Sequence, residues 1–102
     1  MKTTDKHFQY FKERCEYWLN HFHLGYWKVT YSHMDLGDTC FAQNSAQTNN
    51  FSAEIRLNKD WSNKVGIEVT EEKLDETAKH EILHVLCKLP EEELVVRLSR
   101  LL

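Results

Sequence analysis

Thr77-Ala78-Lys79-His80-Glu81-Ile82-Leu83-His84-Val85-Leu86 is the stretch on which the reading of this chain turns. Apolar residues surround two histidines and a glutamate, and a helix apolar over most of its circumference is a buried one. Four residues apart, His80 and His84 stand one turn apart on one helical face, so their imidazoles can converge on one metal ion. Glu81 lies about 100° around the helix from His80, within reach of a water on that ion without being a ligand. Two titratable imidazoles and a carboxylate on a buried helix need a compensating partner, and a metal is the natural one.

Outward from this stretch, Thr70 offers an N-cap, with Glu71 and Glu72 in the first turn where the helix dipole favours anions. The spacing predicts a long helix from there to about Leu89, ended by Pro90. Glu91 to Leu102 reads as a shorter helix with Leu94, Val95, Leu98, Leu101 and Leu102 gathered on one side. Upstream, Phe51, Ala53, Ile55 and Leu57 alternate with polar residues, the clearest strand in the sequence, and Asn58 to Val69 reads as an irregular connection. Trp27, Val29 and Tyr31 mark a second strand; Thr39 to Thr48, with Phe41, small residues and amides, marks a third. Turn chemistry at Asp35-Leu36-Gly37-Asp38 and at Asn49-Asn50 implies an antiparallel meander. Before the strands, Thr4 or Asp5 caps a helix whose Phe8, Phe11, Cys15, Trp18 and Phe22 form one stripe, with Gly25 placed as its stop. The expectation is a single α+β domain over residues 1–102: an N-terminal helix, a three-stranded antiparallel sheet, a long helix bearing the motif and a short C-terminal helix.

Composition narrows the function classes. A chain of 102 residues has room for one core, and 41% hydrophobic with 12% aromatic residues excludes intrinsic disorder. A formal charge of -3 with no basic block argues against direct nucleic-acid binding. No apolar run approaches the roughly 18 residues a bilayer demands, and Met1 to Asp5 carries no signal-peptide stretch. Cys15, Cys40 and Cys87 are odd in number and widely spaced, so a reduced, cytoplasmic protein is expected.

The 77–86 segment resembles the active-site helix of zincin-type (HExxH) metallopeptidases, and more narrowly the small single-domain SprT-like and minigluzincin-like proteins, many of them found in phages and bacteria. An N-terminal helix ending in Leu24-Gly25-Tyr26-Trp27 fits the same arrangement, as do the strand after it and the strand Ala53-Glu54-Ile55-Arg56-Leu57 before the motif helix. So does a closing helix that begins with acidic residues. The resemblance implies the zincin-like fold and a hydrolase: a zinc-dependent metallopeptidase, in a bacterial cytoplasm or in the host cytoplasm of a phage. Zn2+ would be held by His80 and His84, with Glu81 as general base toward a metal-activated water. The substrate would be a peptide or protein held extended along a sheet edge, for which Phe51 to Leu57 is the expected strand. Gluzincin-like members take a third ligand from the helix after the motif, where this chain has Glu91, Glu92 and Glu93. The stripe of Leu94, Val95, Leu98 and Leu102 turns Glu91 inward, sets Glu92 about 100° away and points Glu93 nearly opposite. Glu91 is therefore the first choice and Glu92 the second.

Other residues are weighed against this set. Cys87 shares a face with His80 and His84 but lies about 10 Å along the axis from His80, so it reads as a packing residue. Cys40 is an upstream alternative ligand. His33 or Tyr31 would stabilise an oxyanion, against the plainer reading of either as an ordinary surface or core residue. His7, His21 and His23 read as solvated, and Trp18, Trp27 and Trp61 as core or loop anchors. The rival class is a non-catalytic binding or regulatory module of the same fold, with zinc as a staple for a small core. Glu81 separates the two, since a structural zinc site has no use for an acid there.

Overall fold

The computed structural model describes residues 2–38, 40–62 and 67–101; within the last helix the side chains of Glu91, Glu92, Arg97, Arg100 and Leu101 lie outside that description. Chain order is α1 (Asp5–His21), β1 (Lys28–Met34), β2 (Ala42–Gln47), β3 (Ser52–Asn58), α2 (Glu71–Leu86) and α3 (Glu91–Leu101). The α+β composition matches the sequence reading, element for element.

Thr4 starts α1 with a reciprocal cap: its hydroxyl accepts from the His7 amide at 3.2 Å while its own amide donates to His7 Nδ1 at 3.0 Å. His7 is thus a capping residue rather than a merely solvated one. The helix stops at His23, which holds the left-handed conformation (φ 59°), and not at Gly25. The Leu24 amide reaches back to the Leu19 carbonyl at 2.7 Å and the His23 amide to Asn20 at 3.1 Å, the paired bonds of a Schellman ending, with Leu19 and Leu24 both buried. Thr70 caps α2 by accepting from the Lys73 amide. That helix ends at Leu86, earlier than the expected Leu89, and a tightened turn carries the chain to Pro90.

The sheet is mixed, which corrects the expected antiparallel meander. Its order is β1-β3-β2, with β1 parallel to β3 and β2 antiparallel to it. Gly37 does turn the chain, at φ 79° and with its amide on Asp35 Oδ1, but the chain does not fold back beside β1. It passes over the end of β3 and enters the far edge as β2. Asn58, fully buried at that end, makes the crossing possible. Its Nδ2 donates to the carbonyls of Gly37 and Cys40, and its Oδ1 accepts from the amides of Leu36 and Asp60, all between 2.8 and 3.2 Å. One side-chain amide thereby uses both donors and both lone pairs to satisfy a loop that no strand partners. A second consequence is that Phe51 to Leu57, expected at an edge, forms the centre of the sheet.

Helices α1 and α2 pack side by side, and α2 also lies against β2. The core is Phe11, Cys15 and Leu19 of α1, Ile55 and Leu57 of β3, Leu74, Ala78, Ile82, Val85 and Leu86 of α2, and the fully buried Trp61. Asp75 of α2 fastens the helices together: its Oδ1 accepts from Arg14 Nε at 2.7 Å and Trp18 Nε1 at 2.9 Å. The α3 stripe departs from expectation. Leu94 packs partly on the core, but Val95, Val96 and Leu98 are 55%, 45% and 38% exposed, so the helix does not turn its apolar side wholly inward. Among the described residues no helix is long and apolar enough to cross a membrane.

Candidate metal centre

His80 and His84 leave one face of α2 and meet. Their Nε2 atoms are 3.1 Å apart, with ring centroids separated by 4.6 Å and planes at 85°. Two nitrogens bound at about 2.05 Å to one tetrahedral zinc stand about 3.3 Å apart, so the pair fits two corners of such a site. Spacings of one or two residues along a helix would splay the two histidines; only three or four set them side by side. Both rings are exposed, against the buried placement expected from their apolar neighbours, so of the three groups only Glu81 needs a compensating partner, and the imidazoles are open to an incoming ion.

Glu81, by contrast, faces inward and is 5% exposed, the one buried acid among the described residues. Its partner is Asn44 of β2, whose Nδ2 donates to Oε1 at 2.7 Å. One carboxylate oxygen is thereby fixed by the strand. Glu81 and His80 together separate two hollows in the cleft between α2 and β2. One, of about 460 Å³, is lined by Cys40, Phe41, Ala42, Lys73, Glu76 and Thr77. The other, of about 560 Å³, runs past Asn44, Ser45, Ala46 and Gln47 to His84 and Lys88. The strand along this cleft is β2, an edge of the sheet that no other strand pairs among the described residues, and its sequence Ala-Gln-Asn-Ser-Ala-Gln has no charged residue.

The other candidates fall as follows. Glu91 and Glu92, the expected third ligands, have side chains outside the described set, and among the described residues no three His, Cys, Asp or Glu groups converge as a metal site. Glu93 is described and receives the Tyr26 hydroxyl at 3.4 Å. Cys40 lines the cleft beside His80. Cys87 caps the end of α2 and is exposed, so it is not the packing residue its position promised. His33 and Tyr31 lie on β1, across the sheet from the cleft. His33 is held by Thr3 Oγ1 at 2.6 Å and stacks on Phe8, and its burial pushes its pKa below the ordinary value. Tyr31 donates to Glu16, and burial pushes its phenol well up. Neither lines the cleft. His21 is stacked against Tyr17.

Sequence reasoning missed Asn44 and Asn58. Asn44 lies in a polar stretch with no periodic signature, and Asn58 stands at a polar position of the β3 alternation that points away from the core although it is buried; only the pairing of distant segments gives them partners. No family model matches this chain, and neither a curated protein nor a solved structure matches it.

Proposed function

We propose that this chain is a zinc-dependent metallopeptidase of zincin-like build, acting on an extended peptide or protein segment in a reducing compartment. The observation that carries the reading is the pair of imidazole nitrogens 3.1 Å apart on α2 with the Asn44-held Glu81 buried beside them, in a cleft bordered by a free strand edge. His80 and His84 would hold the ion, with Glu91 completing the protein ligands. When bound, zinc acidifies a water and polarises a carbonyl, the two things peptide hydrolysis needs. Glu81 supplies the base: with Oε1 tied to Asn44, Oε2 is left to take the attacking water's proton and to return it to the departing amine. Edge strand β2 supplies the binding. Its unpaired backbone groups hydrogen-bond an added strand, and without charged side chains it lacks the usual defence of an exposed edge against such pairing. The three cysteines carry no disulfide, in keeping with a cytoplasmic setting.

Elemental analysis with a peptide-cleavage assay tests the reading. With zinc in excess, one ion per chain is expected, retained in Glu81→Gln while hydrolysis is lost. Loss of metal together with activity would show Glu81 to be a ligand instead. Glu91→Ala should release zinc more readily than Glu93→Ala; the reverse order would remove Glu91 from the ligand set.

A further inference from the structure

We propose that the exposed stripe of α2 is also a zinc-bridged docking surface for a second copy of this chain. The inference goes beyond hydrolysis and rests on one part of the proposed function alone, the binding of metal by His80 and His84.

Glu76, His80, His84 and Lys88 recur every four residues, and all four are exposed. Glu76 borders the hollow on one side of His80, and Lys88 borders the one that continues past His84. Along α2 and into the turn that follows it, where Lys88 lies, the order is acid, imidazole, imidazole, base. Such a stripe is complementary to itself when reversed. A two-fold axis between His80 and His84 sets Glu76 opposite Lys88 of the second copy, twice over, and opposes the two helix dipoles favourably. The same operation gathers four imidazole nitrogens around one point, the ligand number of a closed tetrahedral zinc site. A single chain brings two of these, and among the described residues no third His, Cys, Asp or Glu joins them.

Within its own chain Glu76 pairs with Lys73 at 3.5 Å, an exposed contact of little value that exchanges readily. Beside the stripe, β2 presents no charge to repel a neighbouring copy. Four residues a side bury too little area to hold two chains together unaided, so the association requires the ion. Four nitrogen ligands take the place that Glu91 would fill in the single chain and leave no open position for a water. The bridged pair is therefore a resting form that stores zinc without hydrolysing, and excess zinc separates it into singly loaded chains.

Sedimentation equilibrium of the full chain during a zinc titration tests this. The mass should double as zinc approaches one ion per two chains, and fall back with EDTA or with excess zinc. His84→Ala, a change at an exposed position, should stay monomeric at every zinc ratio while its circular dichroism remains that of the parent. E76K should weaken the zinc-dependent dimer about tenfold, and the double exchange E76K/K88E should restore it. A monomer at every ratio with one zinc per chain overturns the bridge and leaves the metal site standing. Absence of zinc binding overturns both, and a dimer that survives EDTA or the loss of His84 overturns the metal's part in it.

Discussion

Asn44 Nδ2 lies 2.7 Å from Glu81 Oε1, joining the free edge of the sheet to the buried carboxylate of the motif helix. The strand that would carry a peptide is thus the strand that would aim the proposed base. Asn44→Ala removes the donor and leaves a carboxylate buried without it, which should cost about 1–3 kcal/mol of stability. The kcat for peptide cleavage should fall about ten- to a hundredfold with KM little changed, as for other groups that orient a metal-site residue. Asn44→Asp should be worse than Asn44→Ala, because two carboxylates at hydrogen-bond distance cannot both ionise. Urea unfolding and steady-state kinetics of the two variants check this, and a raised KM with kcat unchanged would make Asn44 a binding residue instead.

Asn58 gives a second prediction, about the wall of the cleft. Its side chain satisfies Leu36, Gly37, Cys40 and Asp60, and no other residue type of that size offers two donors and two acceptors. Asn58→Leu keeps the branched shape and the number of side-chain heavy atoms and removes all four bonds. It should cost about 2–4 kcal/mol and speed hydrogen exchange at the Leu36 and Asp60 amides more than at β3 amides such as Ile55. Uniform acceleration across the sheet would mean that Asn58 supports the whole fold rather than the crossing loop.

The same loop shows where sequence reading stops. Asp35 and Gly37 announced a turn, and a turn is there, but local chemistry says nothing of how far the chain travels after it. The alternation of Ala53, Ile55 and Leu57 marked a strand buried on one face, a pattern that central and edge strands share. The His80–His84 pair was legible because four-residue spacing on a helix fixes the relative placement of side chains before any tertiary contact forms. Asn44 was not, since its partner lies 37 positions away. In α3 an apolar stripe was legible while its burial was not: periodicity reports which residues share a side, and packing decides whether that side is covered.

The clasp between α1 and α2 carries a pH dependence whose sign follows from Asp75. Burial opposes the Asp75 charge, but the hydrogen bonds from Arg14 and Trp18 outweigh it and hold the carboxyl below its ordinary value of 3.8. A carboxylate depressed in the folded state contributes stability that is present above the unfolded value and is lost as pH falls through the folded one. Asp75→Asn should therefore destabilise the protein at pH 7, by about 1 kcal/mol given that the pair is roughly one-third exposed. The difference from the parent should begin to shrink as pH drops below about 4, where the unfolded chain's carboxyl protonates, and go on shrinking as the folded carboxyl, held lower, protonates in turn and its charge-assisted bond to Arg14 weakens toward that of the amide. Arg14→Met should show the same convergence at low pH, although Trp18 still donates to Asp75 in that variant. Urea midpoints at pH 7 and pH 3 for the parent and both variants decide it. A gap that stays constant between the two pH values would mean that the clasp acts through packing of the Arg14 and Trp18 side chains and not through the Asp75 charge.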